Sequence, residues 1–556
     1  MTCDDRGRRE YDHKLIEDVC ALHTTGTLKA LAVLDSGRRA EKAGTNLLAV
    51  WENYPDGVKA CRIDEGNDGF FVLCVSKDFF EGDVKEAFLG QLVASWLLAD
   101  YEGLLGGEYL RRNEVLFKKE KVVEAVTGLA LEYGDLSTEI MIDPKYFVLE
   151  SVRRMTRVYP PLSSIYEGFL MGEAESTSTM LRGYQEAIGE LVKEGIIHLR
   201  NGYLLMDESF AERTGRQRFK AISFLKMIER TLGPYLLQRL KRAGTLLNLY
   251  LEMARYYGMG PLEADRGLVT KDPRSFLHLP TTLGTVSLGT ELGIEDILTY
   301  VQPLGDITSP ELERCGGVLN DVYILRFRRG EKEEKALVKK FQNWVGLKWF
   351  PLALWTLGTQ NFSVLGRTRL GREYAIGNKL RRNGVPAPAN YHVDINRMVL
   401  IREFIEGQSY MSVVKSFLSQ GRSEVEFEKL RRLGSLVARI HELGITVGDC
   451  KPENFIEDPC GTVHVIDLEQ GAYKGNRAWD LAELLYYSGH YGSIFTDSER
   501  ISDLTEAIVS GYLENRGDIN VVNEVGGIRY TKVFSLFTLP QFIHTISKTC
   551  REEGRS

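Results

Sequence analysis

Ile440-His-Glu-Leu-Gly-Ile-Thr-Val-Gly-Asp-Cys-Lys-Pro-Glu-Asn-Phe-Ile456 is the stretch on which the reading of this 556-residue chain turns. It sets Asp449, Lys451 and Asn454 in the frame D-x-K-P-x-N. After 12 intervening residues, the apolar run Val463-His-Val-Ile ends in Asp467. Transfer of a phosphoryl group asks little covalent chemistry of a protein. It asks for a carboxylate to orient the acceptor, a cation at the transferred phosphate, and oxygen ligands for magnesium bridging the phosphates. Asp449, Lys451, Asn454 and Asp467 supply these in order along the chain.

The frame resembles the catalytic loop H-R-D-x-K-x-x-N of the protein-kinase superfamily, with its following D-F-G. The resemblance covers residues from about 315 to 490. It implies a C-terminal bilobal kinase-like fold that uses ATP and Mg, with Asp449 and Lys451 catalytic and Asn454 and Asp467 holding the metal. Upstream, Lys335-Ala-Leu-Val-Lys-Lys-Phe fits the strand pattern V-A-I-K and makes Lys339 the partner of the α- and β-phosphates. Side chains alternate along a strand, so Lys340 takes the opposite face. The helix beginning Arg369-Leu-Gly-Arg-Glu offers Glu373 as the partner of that lysine. Gly316 and Gly317 permit close backbone approach to phosphates, although the pattern G-x-G-x-x-G is not present. Met398-Val-Leu-Ile-Arg-Glu-Phe-Ile-Glu-Gly reads as a strand leaving into a hinge, whose backbone from Glu403 to Ile405 faces adenine in such a fold.

The departures narrow the class. Val447 and Gly448 replace the loop's histidine and arginine, D-F-G becomes Asp467-Leu-Glu, and no A-P-E follows. Only 12 residues separate Asp467 from Asp480, too few for an activation segment of the kind that phosphorylation orders. This short form is similar to the atypical kinases: the RIO kinases, the lipopolysaccharide and aminoglycoside phosphotransferases, and the kinase subunit of the KEOPS complex, which makes threonylcarbamoyladenosine in tRNA. The run Val465-Ile-Asp-Leu-Glu-Gln, with Ala478-Trp-Asp-Leu-Ala-Glu-Leu-Leu-Tyr-Tyr after it, most resembles archaeal members of the last group. Lys451 is instead a trait of serine/threonine kinases. The resemblance therefore implies an ATP- and magnesium-dependent phosphotransferase of the atypical serine/threonine-protein-kinase type, acting on a protein or on its own chain. One alternative is an ATPase or regulatory kinase-like module of a nucleic-acid-binding or tRNA-modification protein, with RNA as partner. A small-molecule kinase is the other.

Ahead of the catalytic unit, taken as residues 311–556, the pattern is α+β and then helical. In residues 1–150, strands are expected at Leu28–Leu34, Asn46–Glu52 and Phe70–Val75, followed by helices over 83–101 and 113–134. The order Leu34-Asp-Ser-Gly then Asn46-Leu-Leu resembles a nucleotidyltransferase entry, where G-S precedes D-x-D. Asn46 and Leu48 stand where that family has metal-binding carboxylates, which marks a degenerate site. Residues 151–245 read as a helical, winged-helix-like domain, with a helix, a Gly195 stop and a hairpin turning at Asn201-Gly202. From Arg213 to Arg242 there are nine basic residues and one acid, Glu229, so nucleic-acid contact is expected through residues 184–242. Residues 246–310 connect.

Composition bounds the rest. Apolar residues make up 43%, and the net charge of −7 gives no general pull toward nucleic acid or anionic membrane. The eight cysteines form no CxxC pair, which argues against structural zinc. The apolar runs are too short to span a bilayer and the amino terminus has no apolar signal core, so a cytoplasmic protein without membrane partners is expected.

Overall fold

The computed structural model describes residues 3–24, 26–34, 45–65, 68–166, 169, 174–214, 233–258, 271–289, 307–316, 320–329, 331–343, 362–535 and 537–554. The chain divides into two compact units, one of residues 1–132 and 140–278, the other of 133–139 and 279–556. No helix among the described residues is long and apolar enough to cross a membrane.

In the first unit, five strands form a mixed sheet in the order Val58–Glu65, Asp68–Ser76, Asn46–Trp51, Leu28–Leu34, Tyr101–Leu105. Asn46–Trp51 runs parallel to Asp68–Ser76, and the other neighbours are antiparallel. The central strands are buried on both faces, so they read as continuous apolar runs rather than alternating ones. Leu31, Val33, Leu47 and Val72 pack against Leu15 and Val19 of the helix Cys3–Ala21. Leu48 lies in the core, and the buried Asn46 accepts a hydrogen bond from Tyr257 at 2.5 Å. The edge strand Val58–Glu65 is absent from the sequence reading because exposed Lys59 and Arg62 interrupt its apolar pattern.

One expectation is corrected. Residues 83–101 keep helical spacing, yet the helix Lys77–Glu86 stops at Ala87, which has φ 52°. The chain then passes through the tight turn Ala94–Leu98 into the strand Tyr101–Leu105. The buried Asp83 carboxylate is the cause. It accepts hydrogen bonds from the amides of Leu89, Gln91, Val93 and Ala94 at 2.6 to 3.0 Å. Those donors would otherwise serve a continuing helix. Further along, the helix Gly107–Tyr133 spans most of the second expected helix. The helix Ala174–Lys193 leads to Gly195 at φ 69° and then to the hairpin Ile197–Arg200 with Tyr203–Met206. Asn201 and Gly202 have φ of 51° and 82°, which suits a two-residue hairpin turn. Much of the basic stretch, residues 215–232, lies outside the described residues.

The second unit begins with an antiparallel sheet in the order Ile307–Gly316, Asn320–Arg329, Lys332–Phe341, Val399–Glu403, Asn390–Asp394. Leu325, Phe327, Ala336, Val338 and Ile401 form its apolar core. The helix Gly366–Arg382 follows the lysine-bearing strand in sequence. Beyond the sheet the chain is mainly helical. Two short ladders bracket the decisive loop: Ile445–Thr446 pairs with Ala472–Tyr473, and Phe455–Glu457 pairs with Val463–Val465. They hang from the helix Glu424–Glu442, whose Leu430, Leu433, Val437 and Ile440 recur at helical spacing and are buried. That helix crosses Ser498–Glu514 at close range through two glycines. A Cβ on Gly434 would lie 2.0 Å from the carbonyl oxygen of Ile508, and one on Gly511 would lie 1.9 Å from that of Arg431.

His392, in the strand Asn390–Asp394, is 7% exposed, and burial pushes its imidazole down to about 4. The folded state thus stays neutral where the unfolded chain takes a proton. The contribution is whole above the unfolded value near 6.5 and is lost as pH falls toward 4. Exchanging His392 for glutamine is expected to remove about 3 kcal/mol of acid sensitivity over that window. Denaturant unfolding of the two proteins at pH 7 and pH 4 checks this. Equal pH dependence in both would contradict it.

Candidate nucleotide and metal site

Alternation on the strand Lys332–Phe341 buries Lys339 and leaves Lys340 half-buried. The Lys339 ammonium lies 2.8 Å from Glu373, 3.2 Å from Asp467 and 3.0 Å from Glu469. The other carboxylate oxygen of Glu373 is taken by Arg402, which also donates to the carbonyl of Ile466. Arg369 pairs with Glu469 at 2.9 Å. Three cations thus face three carboxylates, all of them buried except Asp467, which is 31% exposed, and such pairing is the condition under which buried charges are tolerated. Burial opposes the charge on Lys339, but Asp467, Glu373 and Glu469 outweigh it and hold the ammonium well above its ordinary range. Burial likewise raises the Asp467 carboxyl, and Lys339 and Arg402 more than reverse this, leaving it below its ordinary value.

A second group sits on the decisive loop. Asp449 holds Lys451 at 2.6 Å through one carboxylate oxygen. The Asn454 side chain donates to the Asp449 carbonyl at 2.8 Å and to its other carboxylate oxygen at 3.3 Å. That leaves the Asn454 amide oxygen as the atom for a cation. Burial works against the charge on Lys451, yet Asp449 and Glu483 keep its pKa raised. The two groups are joined through the backbone, where the amide of Ile466 donates to the carbonyl of Asn454 at 2.9 Å.

The loop is anchored from below. Asp480, near the start of the helix Arg477–Tyr487, accepts from the amides of Val447 at 2.6 Å and Gly448 at 2.8 Å. It also lies 3.1 Å from His441, whose other ring nitrogen lies 3.0 Å from the Tyr512 hydroxyl. Glu483 accepts from the Cys450 amide at 2.8 Å and from the Trp479 indole at 3.1 Å. Burial pushes the Glu483 carboxyl well up, and Asp449 adds to the shift. These contacts account for both unusual residues. Val447 is fully buried in the helical core. Gly448 has φ 78°, and a Cβ there would lie 2.1 Å from the carbonyl oxygen of Gln470.

Of the residues singled out in the sequence, the structure brings Lys339, Glu373 and Asp467 into one cluster and Asp449, Lys451 and Asn454 into the other. Gly316 ends its strand opposite Val322, and Gly317 lies outside the described residues. Glu403 ends its strand, where its amide donates to the Ala389 carbonyl at 2.8 Å, and Ile405 follows in the segment after it. The donor set suits magnesium, since a carboxylate on Asp467 and an amide oxygen on Asn454 are hard oxygen ligands. Sequence reasoning missed Asn320, Arg369, Arg402 and Glu469, and it gave no role to His441 or Asp480.

Residues 324–503 match the model of the lipopolysaccharide kinase (Kdo/WaaP) family. Over 104 residues the chain is 31% identical to the KEOPS complex subunit Bud32 of Pyrococcus abyssi, covering 19% of this chain and 45% of that protein. It is 27% identical over 124 residues to the EKC/KEOPS complex subunit bud32 of Dictyostelium discoideum, covering 21% and 47%. A probable serine/threonine-protein kinase of the same organism, ndrC, matches at 28% over 94 residues, 16% of this chain and 7% of that one. The chain therefore spans less than half the length of each of these relatives. The similarity places the C-terminal part of the chain with kinase-like phosphotransferases.

Proposed function

We propose that residues 311–556 are an ATP- and magnesium-dependent kinase-like module that splits ATP in the service of a nucleic-acid-binding or RNA-modification protein. The observation that carries the chemistry is the Lys339–Glu373 pair at 2.8 Å with Asp467 in contact with the same ammonium. In this reading Lys339 binds the α- and β-phosphates, and Gly316 and Gly317 permit close backbone approach to them. The backbone from Glu403 to Ile405 meets adenine. Asn454 and Asp467 hold magnesium, which when bound neutralises charge on the phosphates. Asp449 orients the attacking oxygen and Lys451 faces the transferred phosphate. The relatives named as KEOPS subunits favour the nucleic-acid setting. So does the basic stretch from Arg213 to Arg242, offered here as the RNA-contacting segment of residues 184–242.

A second reading is a serine/threonine protein kinase, favoured by the 2.6 Å contact between Lys451 and Asp449. Incubating the full chain with γ-labelled ATP and magnesium, with and without tRNA, separates the two. We expect released phosphate that rises with tRNA and little label on protein. Stoichiometric label on serine or threonine would replace the first reading with the second. Neither product, with ATP still bound, would sink both.

A further inference from the structure

Glu469 stands two residues after Asp467, where the protein-kinase pattern has glycine. Its side chain is 7% exposed, and each carboxylate oxygen is engaged. One accepts from Arg369 at 2.9 Å. The other accepts from the side-chain amide of Asn320 at 2.7 Å and lies 3.0 Å from Lys339. Arg369 closes the ring by donating to the Asn320 side-chain oxygen at 3.0 Å, and it also donates to the Gln342 carbonyl. Asn320 opens the strand Asn320–Arg329, and it pairs in register with Phe341 at the end of the lysine strand. Glu469 also donates its own amide to Asp467 at 3.3 Å.

Three chain segments therefore meet at one buried ring: the start of the strand Asn320–Arg329, the helix that carries Glu373, and the loop that carries Asp467. We propose that Glu469, Arg369 and Asn320 are positioning residues that hold the strand Asn320–Arg329, the lysine strand beside it and the metal-binding loop in register. They would do so in place of an activation segment ordered by phosphorylation. The inference rests on the nucleotide-site reading above.

Packing alone would also bury such a ring, and it would then affect only stability. A positioning role predicts something more. Asn320→Ala removes one partner each from Glu469 and Arg369 while leaving every charge in place. Glu469→Gln keeps the shape and removes one charge. Supporting groups of this kind typically change metal affinity or activity by about 10–100-fold.

The test measures ATP affinity calorimetrically with and without magnesium, together with KM, kcat and the thermal midpoint. For Asn320→Ala we expect the magnesium concentration for half-maximal ATP binding, and the KM for ATP, to rise about ten-fold, with the folded fraction intact at the assay temperature. We expect Asn320→Ala with Glu469→Gln to lose no more than the worse single variant, since both break one ring. Variants that lower the midpoint but bind magnesium and ATP like the wild type would overturn the inference. If the wild type itself binds no magnesium–ATP, the nucleotide-site reading falls and this inference with it. Failure of the variants alone leaves that reading standing.

Discussion

Replacing Asp449 with asparagine is expected to lower turnover of ATP by about 10²–10⁴-fold, the range usual for a positioned acid–base group. Binding of ATP should change by less than about three-fold, because Asp449 touches none of the cluster around Lys339. The argument is geometric. One Asp449 oxygen is held by Lys451 at 2.6 Å and the other accepts from Asn454 at 3.3 Å, so the carboxylate has one orientation. Asparagine keeps the shape but must turn an NH₂ toward one of these two donors. The acceptor then loses its anionic partner while Asn454 and Asp467 stay in place. Single-turnover rates with calorimetric ATP binding check this. A fall in affinity as large as the fall in rate would mean that Asp449 holds the site together rather than orienting the acceptor. Exchange of Asp467 for asparagine should show the opposite split, with a raised magnesium requirement.

The grouping of Asp449, Lys451 and Asn454 was legible because the three residues are local in sequence. Asp449, Lys451 and Asn454 sit on one tight loop, and Asp467 lies two residues beyond the strand Val463–Val465, so spacing along the chain singles them out. Lys339 was legible by strand alternation, since a one-residue error would have turned it to the other face. The ring around Glu469 was not. Arg369 lies on a helix rich in arginine, where a charged side chain reads as solvated, and its complete burial is explained by the approach of Asn320, Glu469 and the Gln342 carbonyl. Arg402 stood inside an apolar strand and was passed over as one polar residue in a buried run. The same blindness to side chains that capture distant groups produced the error at residues 83–101. Spacing there was helical, but Asp83 collects four amides of the segment after it. Both failures share a cause: a buried charge chooses partners by distance in space, and periodicity records only which face is apolar.

Asp480 is the residue outside the two side-chain clusters whose loss should matter most. Substitution by alanine would leave the amides of Val447 and Gly448 without their acceptor and His441 without its carboxylate partner, all in the core beneath the loop. Removing one partner from a buried charged network costs about 3–5 kcal/mol. Chemical denaturation should show a loss of that size. Activity should fall as well, even at temperatures where the variant is folded. Gly448 immediately precedes Asp449, and its backbone is confined by Gln470 on one side and by the Trp479 indole, 3.2 Å from its carbonyl, on the other. Freed amides would let that segment relax, and Asp449 would move with it. Asp480→Asn should fall between alanine and the wild type, since it keeps one acceptor oxygen but opposes an NH₂ to the second amide. If alanine lowered stability yet left kcat of the folded protein unchanged, the loop would be held by Glu483 and Trp479 alone.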